Sequence, residues 1–202
     1  EWLPQKGTVA VGRDMRPDSK ELALSLIEGL RLQGRDVIDI GLVSTDMIYF
    51  AVGNLELAGG AMVTASHNPG AYNGIKMCHS QAQAISIETG LADIRDAAVA
   101  NNFTTREQKG GLSTKDIRET WIEHVLSFVD AKSWPSYKLA IDAGNGMLGV
   151  IAPLLTKKIP QLQVREMFYE LDGTFPNHPA NQFLPEGITD LQQMVRAEGL
   201  CL

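Results

Sequence analysis

Cysteine is scarce in this sequence: two residues, Cys78 and Cys201, among 202. Their spacing makes neither a metal-ligand set nor a disulfide framework, so both read as plain thiols in or near a core. Long apolar runs are missing as well. None approaches the roughly 20 residues that a membrane-spanning helix needs. The opening EWLPQKGTVA has neither the basic start nor the apolar middle of a signal peptide. The expected compartment is therefore the cytosol, with no membrane partner. Positive charge is in deficit too: 18 Lys and Arg stand against 24 Asp and Glu, a formal net charge of -6. That argues against a nucleic-acid partner, because such proteins cluster basic residues on one face. An anionic substrate would need a local basic pocket. The NFT sequon at Asn102 carries no weight without a secretory route.

What is present is an ordinary globular composition, 44% hydrophobic and 21% charged, at a length suited to one large or two small domains. Thr8 to Gly12 reads as a buried strand. A helix follows with Leu22, Leu26, Ile27 and Leu30 on one face, Asp18 as N-cap, Glu21 as its capping-box partner and Gly34 as its stop. Strand DVIDIG, helix TDMIYFAVGNL and strand GGAMVTA come next. Strand, helix, strand, helix, strand at this spacing predicts parallel strands joined by right-handed crossovers. NGIKMC reads as a further short strand. ETGLADIRDAAVANN and STKDIRETWIEHVLSFV read as helices, the second with Ile117, Trp121, Val125 and Phe128 on one stripe. DAKSWPSY reads as a linker, after which the pattern restarts with strand KLAIDA, helix VIAPLLTKK, strand QLQVREMF and helix ITDLQQMVRAEG. The expected fold class is α/β: two consecutive units with mostly parallel sheets and flanking helices, the second incomplete.

The candidate chemistry lies in VTASHNPGAYNGIK, which begins where the third strand ends. Ligands of open parallel sheets bind at the carboxyl ends of strands, so Ser66 stands where a functional group is expected. A serine hydroxyl needs activation to act as a nucleophile; once phosphorylated it is a dianionic phosphoryl donor. Lys76, ten residues on, could move a proton to or from a sugar hydroxyl if it is desolvated or sits near other cations. His67 could hydrogen-bond a phosphate or substrate oxygen, or order the loop. The bland readings are a serine capping a turn and a solvated lysine. His79, His124 and His178 have no spacing that suggests a metal site and are assigned no chemistry.

A competing reading lies in DAGNGMLG. Gly144, Gly146 and Gly149 form a literal G-x-G-x-x-G between a strand and a helix, and Glu166 or Glu170 falls at about the distance of a ribose contact. This would make the chain a dinucleotide-binding module. Against it, any tight strand-to-helix turn uses such glycines, and the pattern leaves Ser66 unexplained.

TASHNP followed by YNGIK resembles the active-site serine loop of the α-D-phosphohexomutases, the phosphomannomutase and phosphoglucomutase family. The likeness extends through VAVGRDMRPDS, IDAGNGMLGVIAP and DGTFPNHPAN, and ISIETGLADIRDAAVANNF leans towards bacterial phosphomannomutases. The resemblance implies a phosphoserine at Ser66, a neighbouring histidine at His67 and a general acid/base at Lys76. It also implies a magnesium ion held in part by Ser66, and a phosphorylated hexose substrate whose phosphate moves between C6 and C1 through a bisphosphorylated sugar. It gives the GNG turn a home without a nucleotide. Family enzymes have four domains around a cleft. By that pattern residues 1–130 are expected to be most of the first domain, 131–137 a linker and 138–202 the opening of the second, ahead of the metal, sugar and phosphate loops. The chain is thus expected to be a fragment, inactive by itself.

Overall fold

The computed structural model describes residues 7–101, 103 and 105–200, so Asn102 of the sequon and Cys201 lie outside the described residues. Apolar runs punctuated by polar turns become β1 (Val9–Arg13), α1 (Ser19–Leu32), β2 (Val37–Leu42), α2 (Thr45–Asn54) and β3 (Gly59–Val63). β4 (Ile75–His79), α3 (Ala92–Ala100) and β5 (Leu112–Thr114) follow. Then come α4 (Arg118–Leu126), β6 (Tyr137–Asp142), α5 (Leu148–Lys158), β7 (Leu162–Met167) and α6 (Thr189–Glu198). The class is α/β, as expected. These elements gather into two compact units. One takes the chain through Asp14, Asp18–Thr64 and Gly74–Ile117; the other takes Met15–Pro17, Ala65–Asn73 and the chain from Arg118 on.

In the first unit the strand order is β4-β3-β1-β2-β5. β1 runs parallel to β2 and β3, β5 joins β2 in parallel, and β4 returns antiparallel along β3. All five residues of β3 are buried, as a strand flanked on both edges requires. Val11, Val37 and Val63 of the three inner strands pack with Ala23 and Ile27 of α1, and Leu26 and Leu30 close the rim. Leu22, expected on that face, is 39% exposed. The helix turns the small Ala23 inward instead, which a reading weighted towards large apolar residues overlooks.

The ends of α1 show what local sequence can and cannot specify. Asp18 makes no side-chain capping bond and has helical dihedrals, φ -87 and ψ -7. A capping side chain reaches the first-turn amides from extended dihedrals, so the expected capping box with Glu21 does not form. Ser19 instead donates to the buried Asp14 Oδ1 at 2.5 Å. At the other end Gly34 has φ 77, its amide donates to the Arg31 carbonyl, and the Arg35 amide donates to that of Leu30. This is the left-handed stop the glycine predicts.

The second unit carries β6 and β7 paired in parallel from Tyr137↔Leu162 to Asp142↔Met167. α6 packs against β6 and α4 against α5, the latter contact joined by an ion pair between Lys158 and Glu119. The helix expected from Ser113 to Val129 is shorter. Its first residues belong to β5, Ile122 is its buried residue, and Phe128 is 74% exposed.

Candidate functional site: the serine loop

β3 ends at Val63, and the Thr64 amide donates to the Gly74 carbonyl at 2.9 Å, so the chain leaves and re-enters the sheet at one point. Between them residues 65–73 form a loop with its own bonds. The backbone and side-chain amides of Asn68 both donate to the Ala65 carbonyl, at 3.1 and 2.8 Å, and the Tyr72 amide donates to Pro69 at 3.0 Å. Ser66 is exposed and has φ 55, a left-handed conformation that a residue with a Cβ holds only when its surroundings over-determine it. Its Oγ lies 3.4 Å from His67 Nδ1. Lys76 is exposed on β4, opposite Met62 of β3. The structure thus brings Ser66 and His67 together in the second unit and carries Lys76 in the first.

One residue of this loop's surroundings escaped the sequence reading. Arg16, in a segment read simply as a turn, is 2% exposed. Its Nη1 donates to the carbonyls of Pro69 and Tyr72 at 2.7 and 3.0 Å, and its Nη2 to those of Ser66 and Asn68, both at 2.7 Å. The guanidinium also lies 5.1 Å from the centre of the Phe175 ring. Nothing local signals this, because the partners are 50 to 56 residues away.

His67, Asn68, Pro69 and Gly70 face Thr174 to Asn181 across a cavity of about 780 Å³. His178, in its wall, sits between two acceptors: its Nε2 is 3.0 Å from Asp142 Oδ2 and its Nδ1 is 2.9 Å from the Pro179 carbonyl. Burial pulls its pKa down, but the Pro179 carbonyl and the Asp142 carboxylate outweigh this and raise it above the ordinary value. The ring also stands edge-on to Phe168 at 5.5 Å. His178 is therefore a satisfied structural histidine, and the wall it builds gives it a part in shaping the cavity.

The glycine turn is closed by its own bonds. The Gly144 amide donates to Asp142 Oδ1, that of Asn145 to the Phe168 carbonyl and that of Gly146 to the Ala143 carbonyl. A Cβ on Gly149 would stand 2.0 Å from the Tyr169 carbonyl oxygen, so this glycine lets α5 pack against the chain just past β7. A pyrophosphate is cradled by amides turned towards it. Here the amides of Gly144, Asn145 and Gly146 are committed within the fold, and the dinucleotide reading is not favoured.

Magnesium prefers near-octahedral coordination by six oxygens. No group of three or more His, Cys, Asp or Glu among the described residues is placed to hold a metal ion. Nor is any helix among the described residues long and apolar enough to cross a membrane.

Comparison with known proteins accords with the geometry. The chain is 42% identical over 194 residues to a protein named "Phosphohexose mutases" from Xanthomonas campestris pv. campestris, covering 96% of this chain and 43% of that one. It is 37% identical over 205 residues to the phosphomannomutase of Salmonella typhimurium, covering 98% and 45%. Among solved structures, a phosphoglucomutase/phosphomannomutase family protein from Burkholderia thailandensis superposes with a TM-score of 0.82 at 32% identity, over 94% of this chain and 42% of that one. The chain spans less than half the length of these relatives. Residues 1–105 match the family described as "Phosphoglucomutase/phosphomannomutase, alpha/beta/alpha domain I". With more than half of its residues in that match and the serine loop folded at the end of β3, the chain belongs to the phosphoglucomutase/phosphomannomutase family.

Proposed function

We propose that the whole protein is a phosphohexomutase of phosphomannomutase type and that this chain supplies its phosphoserine. It interconverts hexose 6-phosphate and hexose 1-phosphate, a reaction of carbohydrate metabolism. Phosphorylated Ser66 gives its phosphoryl group to a free sugar hydroxyl: the bond from phosphorus to Oγ breaks, one to the sugar oxygen forms, and the hydroxyl proton passes to Lys76. The bisphosphorylated sugar then returns its other phosphoryl group to Oγ, and Lys76 gives the proton to the oxygen left behind. His67, beside Oγ, donates a hydrogen bond to a phosphoryl oxygen. A magnesium ion bound at the serine phosphate would take one oxygen from Ser66; no group of three or more His, Cys, Asp or Glu among the described residues stands ready to supply the rest.

The observation that carries this reading is the build of the serine loop. An exposed hydroxyl is held in an uncommon backbone conformation, within reach of a histidine, past the carboxyl end of a strand. Phosphoryl transfer depends chiefly on alignment and charge neutralisation, and a fixed oxygen contributes the first of these. The test is phosphopeptide mapping of the whole protein together with turnover of the Ser66→Ala variant. The expected result is phosphate on Ser66 and a loss of several orders of magnitude in the variant, because a covalent carrier has no substitute route. Phosphate mapped elsewhere, with Ser66→Ala fully active, would overturn it.

A further inference from the structure

We infer that Arg16 is a positioning residue for Ser66: by gripping the carbonyls of Ser66, Asn68, Pro69 and Tyr72, its guanidinium fixes the direction in which the serine hydroxyl is presented. The inference rests on the reading of Ser66 as the phosphoryl carrier. Ser66 needs such a device. Its loop is exposed, and φ 55 is a conformation that serine leaves when nothing holds it. Within the loop, the bonds from Asn68 and Tyr72 leave the Ser66 carbonyl to another donor, and Arg16 Nη2 takes it at 2.7 Å. Fixing that carbonyl fixes the peptide plane after Ser66, and with it the angle at which Cβ and Oγ leave the chain. Charge-assisted bonds of this kind are about twice as strong as neutral ones.

The segment Asp172 to Phe175 also packs against Arg16. The central carbon of the guanidinium lies 5.1 Å from the centre of the Phe175 ring. A Cβ on Gly173 would stand 2.5 Å from Arg16 Cα, and one on Gly70 would stand 2.6 Å from the Gly173 carbonyl oxygen. The segments that carry Arg16, Gly70 and Gly173 therefore meet at distances that only glycine permits. Lysine does not replace the arginine fork. Its ammonium is one compact point of charge, whereas the two terminal nitrogens of Arg16 each address two carbonyls from a planar, rigid fork.

The experiment compares Arg16→Met and Arg16→Lys with the unaltered protein in two ways. In the 202-residue chain, amide exchange and the HN–Hα coupling of Ser66 report loop geometry without any activity. Exchange over residues 65–73 is expected to speed up by roughly tenfold or more in both variants while β1 to β3 keep their protection. In the whole protein, kcat is expected to fall about 100-fold, the order that a displacement of one ångström produces. KM should stay within about threefold, since Arg16 is buried and its guanidinium is occupied by loop carbonyls. A residue that merely stabilised the fold would lower the active fraction and leave the kinetics of the remainder intact. Unchanged exchange and coupling in both variants, or full kcat in Arg16→Lys, would overturn the inference. A whole protein without mutase turnover would overturn the reading of Ser66 instead, and the loop measurements would still decide the role of Arg16. If Arg16→Met does not fold, Arg16→Lys, which keeps the stem and the charge, is decisive.

Discussion

At His178 two acceptors face one ring, and only the imidazolium can donate to both. A carboxylate and a carbonyl offer no proton, so the neutral ring must give up one of the two bonds. The folded pKa is accordingly raised above the ordinary 6.5. The sign of the linkage follows: a raised pKa stabilises the fold fully below the unfolded value, and the gain is lost as pH rises through the folded value. Melting of the chain is therefore expected to fall as pH climbs from about 6.5 upward, and Asp142→Asn, which removes the counter-charge, should flatten that fall. A melting temperature that is level or rising across this interval in the unaltered chain would refute it. The same residue marks a limit of sequence reading. Ser66, His67 and Lys76 are adjacent or ten apart and sit at a recognisable strand end, so they could be picked out as candidates. Arg16 and the pairing of His178 with Asp142 depend on partners 36 to 56 residues away, and no spacing rule encodes such a meeting.

Elements were legible where burial imposes a period. β1, β2, β3, β6 and β7 and the helices α1, α2, α5 and α6 fall within a few residues of their apolar patterns. β5 was not, because its three residues are all exposed and its existence rests on backbone pairing with β2. The turn after β4 was equally hidden. There the chain folds back so that Cys78 bridges Ala84, and Gln81 and Ala82 both take left-handed dihedrals, φ 59 and φ 58. Two successive residues of this kind are what a tight hairpin turn demands, and neither Gln nor Ala advertises it. The strain offers a test. Ala82→Gly removes the Cβ conflict of about 1 to 2 kcal/mol and gives back part of it as unfolded-state entropy. A net stabilisation of about 0.5 to 1 kcal/mol is expected, read as a higher denaturant midpoint at unchanged slope. Loss of stability would show that Ala82 does not hold this conformation in solution.

For the whole molecule, the question is how much of a mutase these two units make. Their fold matches the Burkholderia thailandensis protein over 94% of this chain and 42% of that protein, so the 202 residues span less than half of such a relative. Magnesium should bind the 202-residue chain weakly, because one serine or phosphoserine oxygen leaves most of the coordination shell to water, and no clustered side-chain ligands among the described residues add to it. On the proposed reading, a hexose phosphate needs its far phosphate and its hydroxyls held while the reacting oxygen approaches Ser66. With a formal net charge of -6 on the chain, long-range attraction does not draw that anion in. Each ångström of misplacement costs about 100-fold in rate, and losses in orientation, phosphate clamping and metal neutralisation compound. Turnover by this chain alone is therefore expected to lie orders of magnitude below that of a full-length relative such as the Xanthomonas campestris protein, even with Ser66, His67 and Lys76 in place. A coupled mutase assay and a magnesium titration on the purified chain decide it. Saturable micromolar magnesium binding, or turnover approaching the relative's, would mean that the serine loop and its two units suffice, and that the alignment attributed to the rest of such enzymes is already built into residues 1–202.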